Sequence, residues 1–153
     1  MLDAKFWATT GIDIVACYRR HIFDPGGGGK GAKDINGVPY KKYSQEYGST
    51  KKTGKMFRQA SAFKDSTAPV LSSDLARDFK IFKSHSTGFG FGAVAQKGKV
   101  KQLAKMGRVI YTDQKPLPDK CNKLLMKELD KDVKGAFKKI RKKIRRKKIN
   151  IKV

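Results

Sequence analysis

The chain has 153 residues, enough for one domain with a modest core. Lys and Arg number 36 against 13 Asp and Glu, a formal net charge of +23 at neutral pH. Such a surface draws polyanions and repels cations, no apolar run approaches the roughly 18 residues of a membrane span, and the N-terminus does not read as a secretory signal.

Residues 2–23 predict a helix, because Phe6, Trp7, Thr10, Ile14, Cys17, Tyr18 and Ile22 recur at steps of three and four. Gly11 interrupts and weakens that face. Pro25 and six glycines in thirteen residues then make a flexible loop. Tyr40, Tyr43 and Tyr47 are spaced for one or two helical turns, and Lys55 to Phe63 for a second short helix. An extended piece starts at Pro69, and Ser73 or Asp74 caps a single turn around Leu75.

The clearest strand pattern is "DFKIFKSHSTGFGFGAVA". Two alternating runs flank an "STG" turn and predict a hairpin, its glycines lying opposite phenylalanines for close packing. "KGKVKQLAKMG" predicts an amphipathic helix with Val100, Leu103, Ala104 and Met106 inward and Gly107 as C-cap. "RVIYT" predicts a short strand. A last helix runs from about Pro118 to Lys148, with Cys121, Leu125, Leu129, Val133, Phe137, Ile140 and Ile144 as one inward stripe. After it, Ile149, Ile151 and Val153 alternate with polar residues, a strand offered to another chain. The fold class is α+β: a small central antiparallel sheet with an N-terminal helix and a long C-terminal helix. Residues 1–135 form the domain proper, and 136–153 a basic helix end with its terminal strand.

Charge is uneven along this plan. Residues 1–96 carry 15 basic and 8 acidic residues, net +7, while 97–153 carry 21 and 5, net +16. Ten of the fifteen residues from Lys138 to Lys152 are Lys or Arg, and none is acidic. Lysine far outnumbers arginine, which favours diffuse contact with a nucleic-acid backbone over reading of base edges. Cations packed this closely repel one another at i,i+4, so a polyanionic partner is expected. The tyrosines interleaved with Lys41 and Lys42 fit either stacking on bases or packing against the sheet or a neighbouring subunit.

Motifs for catalysis are sparse. "GGGGKGA" fails the phosphate-loop pattern, because Asp24 stands five before Gly29 and Gly follows Lys30. "GFGFGA" matches a dinucleotide fingerprint only by letter, since it lies inside an alternating strand. His21 and His85 have no nucleophile or carboxylate at motif spacing, and two cysteines with two histidines complete no zinc set. Cys17 and Cys121, far apart in predicted helices, read as free thiols in a reducing compartment. Neither an enzyme nor a cofactor is expected.

The order of segments resembles the small virion morphogenesis proteins of tailed bacteriophages, the tail-completion and neck components related to the G protein of phage Mu and similar minor tail proteins. The resemblance is carried by Gly37-Val38-Pro39-Tyr40 to Ser44, by Lys51-Lys52, and by Leu71-Ser72-Ser73-Asp74-Leu75-Ala76-Arg77. It continues through the hairpin 78–95, Gln102 to Gly107, and Lys115-Pro116-Leu117-Pro118, and so covers roughly residues 5–130. The chain departs from the pattern at "QLAKMG" and "KPLPDK", and its basic extension after Gly135 has no counterpart there.

The resemblance implies structural work in the virion: a homo-oligomeric ring at the head–tail junction or tail end, touching portal, adaptor or tail tube, with double-stranded DNA passing through. The surface expected to meet DNA or an acidic partner is Lys138, Lys139, Arg141, Lys142, Lys143, Arg145, Arg146, Lys147 and Lys148. The expected subunit interface comprises Ile149, Ile151, Val153, Tyr40, Tyr43 and Tyr47. Two other readings compete. One is a stand-alone basic nucleic-acid-binding protein, ribosome- or nucleoid-associated. The other is attachment of residues 118–148 to an anionic membrane surface, disfavoured because the apolar stripe continues the core.

Overall fold

Asp3 opens the first helix, its Oδ1 accepting a 2.7 Å hydrogen bond from the Phe6 amide. Helix α1 spans Ala4–Ile22 and carries Arg19, Arg20 and His21 in its last turn, where the helix dipole favours cations. The structure, a computed structural model, describes residues 2–24, 31–46, 49 and 74–149. The glycine run 26–29, the expected helix at Lys55–Phe63, the piece at Pro69 and the cap at Ser73 lie outside these, as do Tyr47, Ile151 and Val153.

Besides helical residues at 45, 46 and 49, five further elements follow among the described residues: α2 (Asp74–Asp78), β1 (Phe79–His85), β2 (Gly88–Ala93), α3 (Lys97–Lys105) and α4 (Asp119–Ile149). The α+β class is as expected, with a two-stranded antiparallel sheet between an N-terminal helix and a long C-terminal one. Helix α4 passes through Gly135 without a break, so the 135/136 boundary falls inside one helix.

The hairpin turns on Ser86 and Thr87 alone, with Gly88 already paired to His85. Its register shifts between Ile81 and Lys83, leaving Phe82 as a bulge. The extra residue has a geometric consequence. Phe79 and Ile81 face α1, and simple alternation would turn Ser84 away; the bulge returns Ser84 to that side, where its hydroxyl donates to the Ala4 carbonyl at 2.9 Å. Phe82 goes to the other face. A Cβ on Gly90 would lie 2.7 Å from its ring, so the bare glycine lets the ring lie flat on the strand.

Packing between α1 and the hairpin is aromatic. Tyr18 stacks on Phe79 with centroids 5.0 Å apart and meets Phe91 edge-on at 5.3 Å. Phe23 leans on Phe79, and Trp7 on Phe89, with the indole Nε1 donating to the Ser86 carbonyl. Tyr18, Ile14, Ile22, Phe23 and Phe79 are fully buried, each contributing about 1.5–3 kcal/mol. Gly11, expected to weaken α1, is instead the point of closest approach. A Cβ there would lie 2.6 Å from Ile81 Cδ1 and 3.2 Å from the Phe89 ring.

The remaining segments close the core from the sides. Asp78 Oδ2 accepts from the Gln96 amide at the start of α3, a carboxylate at a helix N-terminus. Gly107, at φ +70, ends α3 in a Schellman motif: its amide donates to Ala104 and that of Arg108 to Leu103. Val100 is buried and Leu103 partly so, but Ala104 and Met106 point outward, because the helix presents only a narrow stripe. "RVIYT" is not a strand. Ile110 is buried and Val109 accepts from the Ile35 amide, but a single bond makes no ladder.

Candidate assembly and polyanion-binding surface

Helix α4 begins on buried Pro118, whose carbonyl accepts from the amides of Cys121 and Asn122. Cys121 is fully buried against Cys17 of α1, their Sγ atoms 2.7 Å apart. Leu124, Leu125, Glu128, Leu129, Asp132, Gly135 and Ala136 are half-buried. At its other end α1 brings Leu2 to Val133, Ala136, Phe137 and Ile140, around a shallow groove of about 300 Å³. The two helices therefore run antiparallel. At 1.5 Å per residue α4 is about 46 Å long and α1 about 28 Å, so α4 overhangs.

The stripe predicted to pack inward does not stay inward. Val133 is 42% exposed, Phe137 61%, Ile140 54% and Ile144 51%. The reason is the step size. Each residue turns about 100°, so a step of four overshoots one turn by about 40°. Four such steps, Cys121 to Phe137, rotate the row about 160° round the helix. The row leaves the core side near Leu129 and emerges on the outside, where Met126 is also exposed. What reads in sequence as one face is two: a core face in the first half, and an outward face from Val133 to Ile144.

The cations complete the picture. Lys138, Lys139, Arg141, Lys142 and Lys143 are all exposed on α4. By the same 100° geometry, Lys139, Lys142 and Lys143 continue the side that met α1 further back. Further along, the core-facing side has become cationic, and the apolar row remains as a stripe about 60° wide to one side of it. The backbone of Arg145, Arg146, Lys147, Lys148 and Ile149 continues this helix. Ile149 is thus helical, and the expected strand does not begin there. The acidic residues of α4 lie further back, where Glu128 pairs with Lys131 and Asp130 with Lys134. These exposed pairs contribute little stability.

The expected tyrosine helix does not include residues 40–44, which are irregular; residues 45, 46 and 49 beyond them are helical. Tyr40 is 7% exposed and belongs to the chain's own core, so it offers no surface to a neighbouring subunit. Tyr43 is half-buried under Arg108, whose guanidinium carbon lies 3.8 Å from its ring centroid and 5.5 Å from that of Tyr40. Arg108, itself buried, also donates to the Lys41 carbonyl at 2.7 Å. Sequence reading missed Arg108; the one signal was its place just after the capping Gly107, where the chain turns back onto the body.

The other sequence motifs settle simply. "GFGFGA" is strand β2. His21 shares a 3.0 Å hydrogen bond with the Asp34 carbonyl, so that Nε2 carries the hydrogen. His85 is exposed at the hairpin end. Among the described residues no three of His, Cys, Asp and Glu come together as metal ligands, and no helix is long and apolar enough to cross a membrane. Comparison with protein-family models, with curated proteins and with solved structures found no match to this chain.

Proposed function

We propose that this chain is a structural protein of a tailed-phage virion, one subunit of a ring at the neck or tail end that completes the tail or joins it to the head. The observation that carries the reading is the row Val133, Phe137, Ile140 and Ile144, which stays about half-exposed on a helix that runs past the end of α1, with Leu2 beside its first three members. The row asks for a protein partner, and the cations beside it ask for a polyanion. The resemblance of the segment order to phage tail-completion proteins supplies the class. Two copies set face to face would bring cation against cation. A head-to-tail ring avoids this, because each patch meets a different one. Portal, adaptor or tail tube would then be the neighbours, with DNA passing through the ring.

A second reading, a stand-alone nucleic-acid-binding protein, is favoured by the exposed Lys138, Lys139, Arg141, Lys142 and Lys143. Sedimentation across a concentration series, paired with duplex-DNA binding across salt, separates the two. The ring reading expects closed oligomers. The stand-alone reading expects a monomer whose log affinity falls with log salt at about −0.9 per phosphate neutralised. A strictly monomeric chain, absent from virions, overturns the ring.

A further inference from the structure

We propose that Cys17 and Cys121 are a site of reversible disulfide formation that staples α1 to the first turn of α4. The inference stands apart from the proposed function. The two thiols are 104 positions apart in sequence, on different helices, with Sγ atoms 2.7 Å apart. That is about 0.7 Å longer than a disulfide bond. Both positions sit within helices that the core holds in place, Cys17 between buried Ile14 and Tyr18, and Cys121 shortly after buried Pro118.

Access is asymmetric. Cys121 is buried, while Cys17 is partly exposed and so is the thiol a small reagent can reach. Burial, and then the hydrogen bond to Cys17, push the Cys121 thiol up, while Lys120 and Arg20 pull it down. The same two cations sit beside the pair and favour an anionic reagent. The oxidant is a low-molecular-weight disulfide of the glutathione class. The Cys17 thiolate attacks one of its sulfurs and expels one thiolate, leaving a mixed disulfide on Cys17. Cys121, giving its proton to that thiolate, attacks Cys17 Sγ and expels the second. Two protein thiols and one small disulfide become one protein disulfide and two small thiols, with no electrons left over.

The cross-link would close a loop of about a hundred residues, the long-loop case in which restriction of the unfolded chain is largest. The test uses the full chain, folded, with excess oxidised glutathione. Both thiols should disappear together, the intact mass should fall by two hydrogens, and digestion should yield one peptide pair joined through Cys17 and Cys121. The unfolding temperature should rise on the order of 10 °C and return on reduction. In Cys121→Ser the glutathione should remain on Cys17, because the resolving thiol is gone. A stable glutathione adduct on Cys17 of the unsubstituted chain, disulfide-linked dimers, or two thiols that persist until denaturant is added would each overturn the staple. The unsubstituted chain decides by itself if the variant fails to fold.

Discussion

Replacing Phe137, Ile140 and Ile144 together by alanine separates a helix face that awaits a partner from one that holds the chain together. Full burial of such a side chain is worth about 1.5–3 kcal/mol. In the free chain they remain 61%, 54% and 51% exposed, so roughly half of that is still to be gained on assembly. Each then contributes about 1 kcal/mol to an interface, about 3 kcal/mol in all, or roughly a hundredfold in the association constant. The free chain loses little, because alanine is the better helix former by a few tenths of a kcal/mol per site. Net charge is unchanged, so any effect is one of packing. Sedimentation velocity over a concentration series reads the first number, and thermal unfolding at high dilution reads the second. An unchanged oligomer distribution refutes the reasoning. So does an unfolding temperature several degrees lower at dilutions where the chain is monomeric, since the side chains would then be packed within it.

Four other outcomes follow from residues described above. Changing Lys142, Lys143, Arg145 and Arg146 to Gln should leave circular dichroism intact and flatten the salt dependence of duplex-DNA binding by about 0.9 for each phosphate no longer neutralised; an unaltered slope means these charges are merely solvated. Tyr18→Phe removes a buried 2.7 Å hydrogen bond to the Ile110 carbonyl and should cost about 1–2 kcal/mol in urea unfolding. Tyr40→Phe removes a buried hydroxyl with no partner among the described residues, and should be neutral or stabilising by about 1 kcal/mol. The alkaline limb of stability links the two. Burial holds both phenols above their ordinary value of 10.0, so the folded chain keeps protons that the unfolded chain releases. Their contribution is fully present below about pH 10 and falls above it by up to about 1.4 kcal/mol per pH unit for each tyrosine, until the folded pKa is reached. Urea midpoints between about pH 9 and 11 should decline, and each Tyr→Phe variant should lose its share of the slope.

Elements whose periodicity is local were legible. Phe6 to Ile22, the alternation across 79–93, and the run after Pro118 each betray their backbone state through their own spacing. What stayed hidden depends on neighbours distant in sequence. Gly11 reads as a flaw in a helix, and only Ile81 and Phe89 of the hairpin, 70 to 80 residues later, make it a fitting point. Tyr40 and Tyr43 carry a helical spacing, but Arg108 clamps them in irregular chain. The bulge at Phe82 cannot be counted from one strand, because register belongs to a pair. In α4 the misreading has another source: a run of fours looks equivalent to a mixture of threes and fours, although its drift accumulates. The candidate surface was therefore half legible. Lys138, Lys139, Arg141, Lys142 and Lys143 are exposed, and the apolar row was assigned to the wrong side.

The overhang of α4 has an electrostatic consequence. Thirteen residues follow Ala136 in the helix, about 20 Å of rod. At physiological ionic strength the Debye length is about 8 Å, so the far cations stand more than two screening lengths from Glu128 and Asp130. Under those conditions the tip is electrically separate from these carboxylates. Its attraction for a polyanion is insensitive to substitutions at Glu128 and Asp130. At about 0.01 M salt the screening length reaches about 30 Å, and tip and body merge into one field. The same chain should thus behave as an independent basic arm in the cell and as a single polycation in dilute buffer.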